Sequence, residues 1–577
     1  MTAQYDTITL GVSDLDRITL PKFQRGFVWN KSKKTSFIQT LHDGFPFGAL
    51  LVYPETSDAD SKLVLLDGQQ RLSTIIQYQH DQIPFWKPLN FDKYQECLNS
   101  INDMLDEEHV LAEEEFDKLL TDKTDVADWA DIVAPNDATK RKDLRDKIKE
   151  LQTEISKFVD LSELGILAIK FTGSRDRIAD VFANLNKGGM PLQKYEVFSA
   201  AWSNTEIRLL QAGESADGLQ DRILELVKSY YSNMESKAEF ELNDFSEDEL
   251  SKSRVITLSE FAVALGAFVH ELLPSLVGDT SSTQNEIGFG LLGIATGTDN
   301  RQLSTLNSKV NLINDELQLI LEKTRRICID LNGIFSKLLN QIIAGKKDTY
   351  VPGLTSSFKT LSYFAALWNL EEGSNQYQAT LRNIPSYYVL DFWSRSWTSH
   401  GDQRLLDYYP KHGKRSYLQK PTIDQLMDAY AQWASDNTPG INFSKEVKAL
   451  TTIHANQSYL SSVLPHGESF ELEHIIAKKL VNAAENERDR KVYAGALGNC
   501  MYLPRQDNNK KKEKNLYEVN DEGRYDDLMS KALYFSEHEF VTIGDALEAR
   551  DYDAINALIM KRGSLVAESI AQSLLSQ

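Results

Sequence analysis

The spacing of hydrophobic and polar positions changes several times along this chain, and the changes mark out three regions. In residues 1–85 the runs "ITLGVSDL", "GALLVYPE" and "KLVLL" read as strands, while 31–43, "KSKKTSFIQTLHD", has apolar residues at helical spacing. These predict an α/β unit. Residues 100–160 predict charged, exposed helices, with opposite charges four apart over 139–160. "LGILAIKF" at 164–171 predicts another strand, followed by a helix over about 174–186 that stops at "NKGG", since glycine readily takes the left-handed conformation after a helix end. From about 205 to 440 the period is mostly 3.6, with helices predicted over 205–235, 257–272, 305–344, 355–371 and 421–435. Residues 276–304, rich in Gly, Ser, Thr and Asn, predict a long loop. From 441 onward the segments shorten, and a helical tail is expected over 545–576. The expected fold is α+β and multidomain: 1–205, a mainly helical middle over 206–440, and 441–577.

Composition narrows the class. With 577 residues the chain is too long for one core, and 41% hydrophobic with 25% charged residues fits an ordinary globular protein. The longest apolar stretches, such as 286–295 "EIGFGLLGIA", are too short to span a bilayer, so no membrane association is expected. The N-terminus lacks a basic start followed by an apolar block, and Cys97, Cys328 and Cys500 are scattered; a cytoplasmic location is the expectation. A net charge of −21 argues against non-specific coating of nucleic acid but not against a local basic patch. Two patches stand out. At 404–420, "RLLDYYPKHGKRSYLQK", Lys414 and Arg415 lie among Tyr408, Tyr409 and Tyr417; at 505–514, "RQDNNKKKEK", Lys510, Lys511, Lys512 and Lys514 cluster.

Residues 63–76, "LVLLDGQQRLSTII", place Asp67, Gly68, Gln69, Gln70 and Arg71 between an apolar run and a helical pattern. Two readings fit. One is a strand-to-helix connection with Gly68 at the bend and Asp67 as the helix cap. The other is a ligand site, because amides at a helix start and an arginine suit a phosphate.

A second constellation lies at "FELEHIIAKKL" (470–480) and "GALGNCMYLPRQDNNKKKEKN" (495–515). Glu473 directly precedes His474, and Asn499 and Asn508 follow that histidine by 25 and 34 residues. A carboxylate and an asparagine oxygen suit one hard divalent cation. A histidine beside them can take a proton from water at a scissile phosphate. The pattern resembles the HNH endonuclease superfamily, and most closely the C-terminal form in GmrSD-type, modification-dependent restriction enzymes. The resemblance implies a ββα-metal fold with Glu473 and Asn508 as ligands of Mg²⁺ or Mn²⁺ and His474 as general base. It implies that Asn499 steadies the loop and that Lys510, Lys511, Lys512 and Lys514 touch DNA phosphates. Asn509 competes with Asn508 for the ligand role, and Ala477 stands where the family carries proline.

The same family joins this nuclease to an N-terminal domain bearing "DGQQR", related to the ParB/sulfiredoxin group. Three motifs here resemble it: "LPKFQRGFVW" (20–29), "LLDGQQRLST" (65–74) and "VFANLNKGGMPLQKYEVFSA" (181–200). They imply a pocket for a nucleoside triphosphate (GTP, ATP or another) formed by Gln24, Arg25, Asp67, Gly68, Gln69, Gln70, Arg71, Asn186, Lys187 and Gly188. Within it Arg25 and Arg71 would fork onto phosphate and Asp67 would hold magnesium. The function expected is anti-phage restriction: an HNH nuclease or nickase gated by an NTP-hydrolysing domain and acting on foreign or modified phage DNA. A homodimer is left open. Two rivals stand beside it: a regulatory DNA- or partner-binding protein with a vestigial nuclease, and an NTPase that acts by nucleotide depletion.

Overall fold

The computed structural model describes residues 5–19, 29, 31–54, 62–121, 123–173, 195, 198, 202, 205–235, 247–411, 413–436, 440–460, 469–484 and 491–576. The architecture is α+β, with many helices and small sheets. The chain divides into two compact units, Met1–Ser203 with Tyr231–Ser246, and Asn204–Tyr230 with Glu247–Gln577. The helical middle and the C-terminal region therefore share one unit.

The first unit is built on β1 (Tyr5–Leu10), β2 (Ile18–Thr19), α1 (Lys31–His42), β3 (Leu50–Pro54), β4 (Leu63–Asp67), α2 (Gln69–His80) and β5 (Ile166–Phe171). The strands form one mixed sheet in the order β1-β5-β3-β4-β2. β5 runs antiparallel to β1, with Leu10 opposite Ile166, and parallel to β3, with Leu51 opposite Ile169. β4 "LVLLD" is buried at four of its five positions, as a strand covered on both faces requires. Ile38, Leu50, Val52, Leu65, Ile75 and Tyr78 close the core under α1 and α2. A separate helical cluster around Trp86, Tyr94, Ile101, Phe116, Leu144 and Ile148 accounts for the charged stretch 100–160, whose apolar stripes turn inward. The helix expected over 174–186 lies outside the described residues.

In the second unit the expected loop over 276–304 is instead the buried helix Ser281–Thr296. Its glycines, which suggested a loop, are contact points. A Cβ on Gly288 would stand 1.9 Å from the Ala262 carbonyl oxygen, and one on Gly266 would stand 2.0 Å from that of Gln284. The helix thus lies backbone to backbone against Leu258–Leu272, and small residues are what such packing needs. Residues 205–235 also differ from a single helix. Glu206–Arg208 is β6, paired with β7 (Val255–Thr257), before the helix Leu219–Glu235. The helix Asn375–Trp393 was hidden in the pattern by Pro385, which the helix accommodates within its buried face. Among the described residues no helix is long and apolar enough to cross a membrane.

The C-terminal part holds β8 (Phe470–His474) and β9 (Cys500–Pro504), an antiparallel pair in which His474 faces Cys500 and Glu473 faces Met501. The short helix Arg505–Lys511 follows directly, and the long helix Tyr552–Ser576 packs beneath. Gly288→Ala is expected to lower the thermal unfolding midpoint, through an overpacking cost of about 1–3 kcal/mol or more. A Gly288→Ala protein with an unchanged midpoint in a calorimetric scan would show that the two helices are not in backbone contact.

Candidate functional site

Alternation along β8 sends its side chains to two faces. Phe470 and His474 turn into the fold, while Glu471 and Glu473 lie on the other side, toward the helix Arg505–Lys511. That helix runs back along the hairpin, so Asn508 and Lys511, one turn apart, meet the two glutamates in order. Asn508 Nδ2 donates to Glu471 Oε2 at 3.4 Å, and Lys511 Nζ donates to Glu473 Oε1 at 2.8 Å and to the His474 carbonyl at 3.3 Å.

His474 is buried, stacked on Phe443 with ring centroids 3.8 Å apart, and its Nε2 lies 2.8 Å from the Ile441 carbonyl oxygen. A carbonyl only accepts, so Nε2 carries the hydrogen and Nδ1 keeps the lone pair. Burial pushes the imidazole down to about 4; the Ile441 carbonyl opposes this, and the Lys478 and Lys511 charges add to it. The ring is therefore a neutral base at physiological pH.

Asn499 is fully buried and ties the loop after β8 to the start of β9. Its Oδ1 accepts from Ile476 N at 2.7 Å, and its Nδ2 donates to the Ala494 and Ile476 carbonyls at 2.9 and 3.3 Å. Beneath it, Arg562 donates to the carbonyls of Gly498 at 2.9 Å, Cys500 at 3.2 Å, Ala532 at 2.7 Å and Leu533 at 2.7 Å. Gly498 touches the same helix so closely that a Cβ would sit 1.7 Å from the Ile559 carbonyl oxygen.

His474 and Glu473 line a cleft of about 760 Å³ together with Asn442, Phe443, Lys448, Lys478, Lys479 and Lys512. Lys479 pairs with Glu513, which lines the same cleft, while Lys448, Lys478 and Lys512 beside the neutral histidine give a surface suited to phosphodiester oxygens. Lys448, Lys478 and Lys479 were not among the sequence candidates, although "AKKL" directly after "EHII" carries the signal for two of them. Lys510, Lys512 and Lys514 are exposed, but Lys511 is fully buried against Glu473, which corrects its assignment as a phosphate contact. Asn509 is exposed.

The expected metal pair does not assemble in this arrangement. Asn508 reaches Glu471, and the carboxylate of Glu473 already faces an ammonium, so a divalent ion there would stand against a like charge. Among the described residues no three His, Cys, Asp or Glu side chains gather as a metal-holding group.

The patch at 404–420 also changes meaning. Tyr408, Tyr409 and Tyr417 are buried core residues, and the Tyr417 hydroxyl lies 2.7 Å from that of Ser362, so these rings are not free to stack on bases. Lys414 and Arg415 remain exposed, with Arg415 Nε 3.4 Å from Asp407 Oδ2.

In the first unit Gly68, at φ 102°, makes the turn from β4 into α2 and is itself the helix cap. A Cβ there would meet Leu50 Cδ2 at 2.3 Å. Asp67 ends β4 and does not cap α2, because its carboxylate binds Arg71 Nη2 at 3.1 Å. Arg71 Nη1 donates to the carbonyls of Ala49 at 2.9 Å and Phe47 at 3.3 Å. The guanidinium thus staples α2 to the entry of β3 instead of standing open as a phosphate fork. Gln70 Oε1 accepts from Trp29 N at 2.9 Å, joining the end of the "FQRGFVW" motif to α2. Gln69 is buried, and its Nε2 has no hydrogen-bond partner among the described residues. The remaining candidates Gln24, Arg25, Asn186, Lys187 and Gly188 lie outside the described residues.

Residues 8–203 match the family model described as GmrSD restriction endonuclease, N-terminal domain. The match takes in the Asp67–Arg71 turn and the mixed sheet apart from the first three residues of β1, and it supports a restriction-endonuclease role with DNA as partner. A comparison with curated proteins found no match.

Two outcomes follow from the geometry of the C-terminal cleft. The folded-state pKa of His474 lies below its unfolded value of about 6.5. Its contribution to stability is therefore fully present above about pH 6.5 and is lost as the pH falls toward about 4, by up to roughly 3 kcal/mol. Denaturation of the wild type and of His474→Gln across that window should show a smaller acid loss in the variant; equal losses would mean that this histidine does not titrate as placed. Arg562→Leu removes the guanidinium from three buried carbonyls and the half-buried one of Leu533, and should cost about 3 kcal/mol or more. A denaturation midpoint equal to that of the wild type would refute this.

Proposed function

We propose that this chain is a DNA-cleaving restriction enzyme whose reaction takes place in the His474 cleft, under control of the GmrSD-type N-terminal domain. The observation that carries the reading is the neutral His474, with its proton held at Nε2 by Ile441, at the end of a ββα hairpin beside a lysine-lined cleft. Phosphate oxygens of a DNA strand seat against Lys448, Lys478 and Lys512. His474 Nδ1 takes the proton of a water as its oxygen forms a bond to phosphorus, and the sugar oxygen takes a proton from solvent as its bond to phosphorus breaks. Asn499 and Arg562 keep the backbone of the hairpin in place for that step. With Lys511 on Glu473, no step is assigned to a divalent ion.

The N-terminal domain is read as the sensor. The start of α2 has no side-chain cap, and this helix N-terminus together with the Gln69 amide, which has no hydrogen-bond partner among the described residues, suits a triphosphate. Hydrolysis of that nucleotide, and the choice of modified or foreign DNA as target, belong to the same proposal. The Lys511–Glu473 pair favours a second reading, a DNA-binding regulator with a vestigial nuclease.

A supercoiled-plasmid assay separates the two. Wild-type protein should nick or linearise modified plasmid, and His474→Ala should lower the rate by about 10²–10⁴. Wild-type protein that binds the plasmid without cutting it under any nucleotide or divalent-ion condition would leave the regulator. For the sensor, Gln69→Leu should weaken GTP or ATP binding by calorimetry about tenfold, the scale of one hydrogen bond to a charged group. Unchanged binding would remove Gln69 from the site.

A further inference from the structure

Three consecutive residues just ahead of the helix Lys445–Ser458 converge on one stretch of chain. The Ile441 carbonyl oxygen lies 2.8 Å from His474 Nε2, Asn442 Oδ1 accepts from Lys478 Nζ at 2.8 Å, and the Phe443 ring is stacked on the His474 ring. The backbone between the histidine and the lysine is fixed as well. Ile475 N and Ile476 N donate to the main-chain and side-chain oxygens of Asn499 at 3.0 and 2.7 Å. His474 and Lys478 are thus held through both side chain and backbone, and the fold sets their separation.

Lys478 differs from the other cations of the cleft. Lys479 is paired with Glu513, and Lys511 is buried on Glu473. Among the described residues no hydrogen bond or ion pair holds the side-chain ammonium of Lys448 or Lys512. Lys478 is exposed to the cleft, carries no carboxylate, and still has a fixed direction, because its partner is a neutral amide oxygen. Immobilising a lysine costs rotamer freedom, and Asn442 meets that cost before any ligand arrives. After burial, the Lys478 charge is among the causes that lower the His474 pKa, which places the two groups within electrostatic reach of each other.

We propose that Lys478, aimed by Asn442, is a catalytic residue of the His474 cleft: its ammonium donates to a non-bridging oxygen of the scissile phosphate and stabilises the charge that gathers there in the transition state. As the water oxygen bonds to phosphorus, its proton passes to His474 Nδ1 and the phosphate oxygens gain negative charge. Lys478 keeps its own proton throughout, and the leaving sugar oxygen takes one from solvent. Asn442 acts only through Lys478 and is a positioning residue. The proposal rests on the nuclease reading of the cleft and names the group that supplies positive charge in it.

The test is steady-state cleavage of modified supercoiled plasmid by the full chain, with the plasmid concentration varied so that kcat and KM separate. Lys478→Met should lower kcat by about 10²–10³, the loss that follows removal of one donor to a developing oxyanion, with KM within about twofold. Lys478→Arg keeps the charge and should regain about tenfold of that loss or more. Asn442→Leu keeps the ammonium but not its direction, and should lower kcat about tenfold, the scale of one hydrogen bond to a charged group. Lys479→Met removes a neighbouring ammonium already paired with Glu513 and should leave both constants within about twofold. Lys478 and Asn442 are exposed, so their replacement leaves the core intact. A Lys478→Met protein with wild-type kcat, or one whose loss lies wholly in KM, overturns the proposal, as does an Asn442→Leu protein with wild-type kcat. Wild-type protein that cuts no plasmid removes the nuclease reading and this proposal together, whereas undiminished cutting by Lys478→Met removes this proposal alone.

Discussion

Arg562 carries a full positive charge into the interior of the C-terminal unit and binds backbone carbonyls there: Gly498, Cys500, Ala532 and Leu533. Burial lowers its pKa to about 10, yet it stays charged at physiological pH. A buried charge is tolerable only when its donors are matched, and here the matching acceptors come from two loops distant in sequence. The guanidinium therefore ties the long C-terminal helix to both the Leu497–Asn499 turn and the 532–533 turn. Close contact at Gly498 allows no larger residue between them. The placement of Asn499, the pairing of Cys500 with His474, and so the geometry of the cleft all depend on this one fastening.

On that frame, β8 sorts two kinds of chemistry onto opposite faces. The His474 ring meets Ile441 and Phe443, a half-apolar setting that keeps the ring neutral and fixes its tautomer. Glu471 and Glu473 meet Asn508, Arg505 and Lys511, a polar setting in which the carboxylates are compensated by cations. One strand, by its two-residue period, thus separates a proton acceptor from a charge-binding carboxylate in adjacent positions. The N-terminal turn follows a comparable economy: Arg71 is consumed in holding Asp67 and the carbonyls before β3, while the buried Gln69 amide nitrogen has no partner among the described residues.

Much of this was legible before the fold. Periodicity located α1, β3, β4 and β5 to within a residue or two, because each is a short apolar segment bounded by turn residues. It failed at Ser281–Thr296, where glycine marks close helix packing and not a loop. It failed again at Tyr408, Tyr409 and Tyr417, because alternation with basic residues does not reveal that the rings face a core. For the site, motif spacing singled out Glu473, His474 and Asn499. It missed Lys448 and Arg562, which approach from helices far along the chain and belong to no local pattern.

The sequence by itself determined which chemical groups stand next to each other along the backbone: a glutamate before a histidine, a glycine before an uncapped helix, three lysines after two asparagines. Only the tertiary structure decided which of those groups face each other. Helical spacing places Asn508 and Lys511 on one side, but the direction of the hairpin is what sets Lys511, and not Asn508, against Glu473. Adjacency is a covalent property and can be read from the chain. Charge pairing depends on distance across the fold, and folding alone supplies that distance.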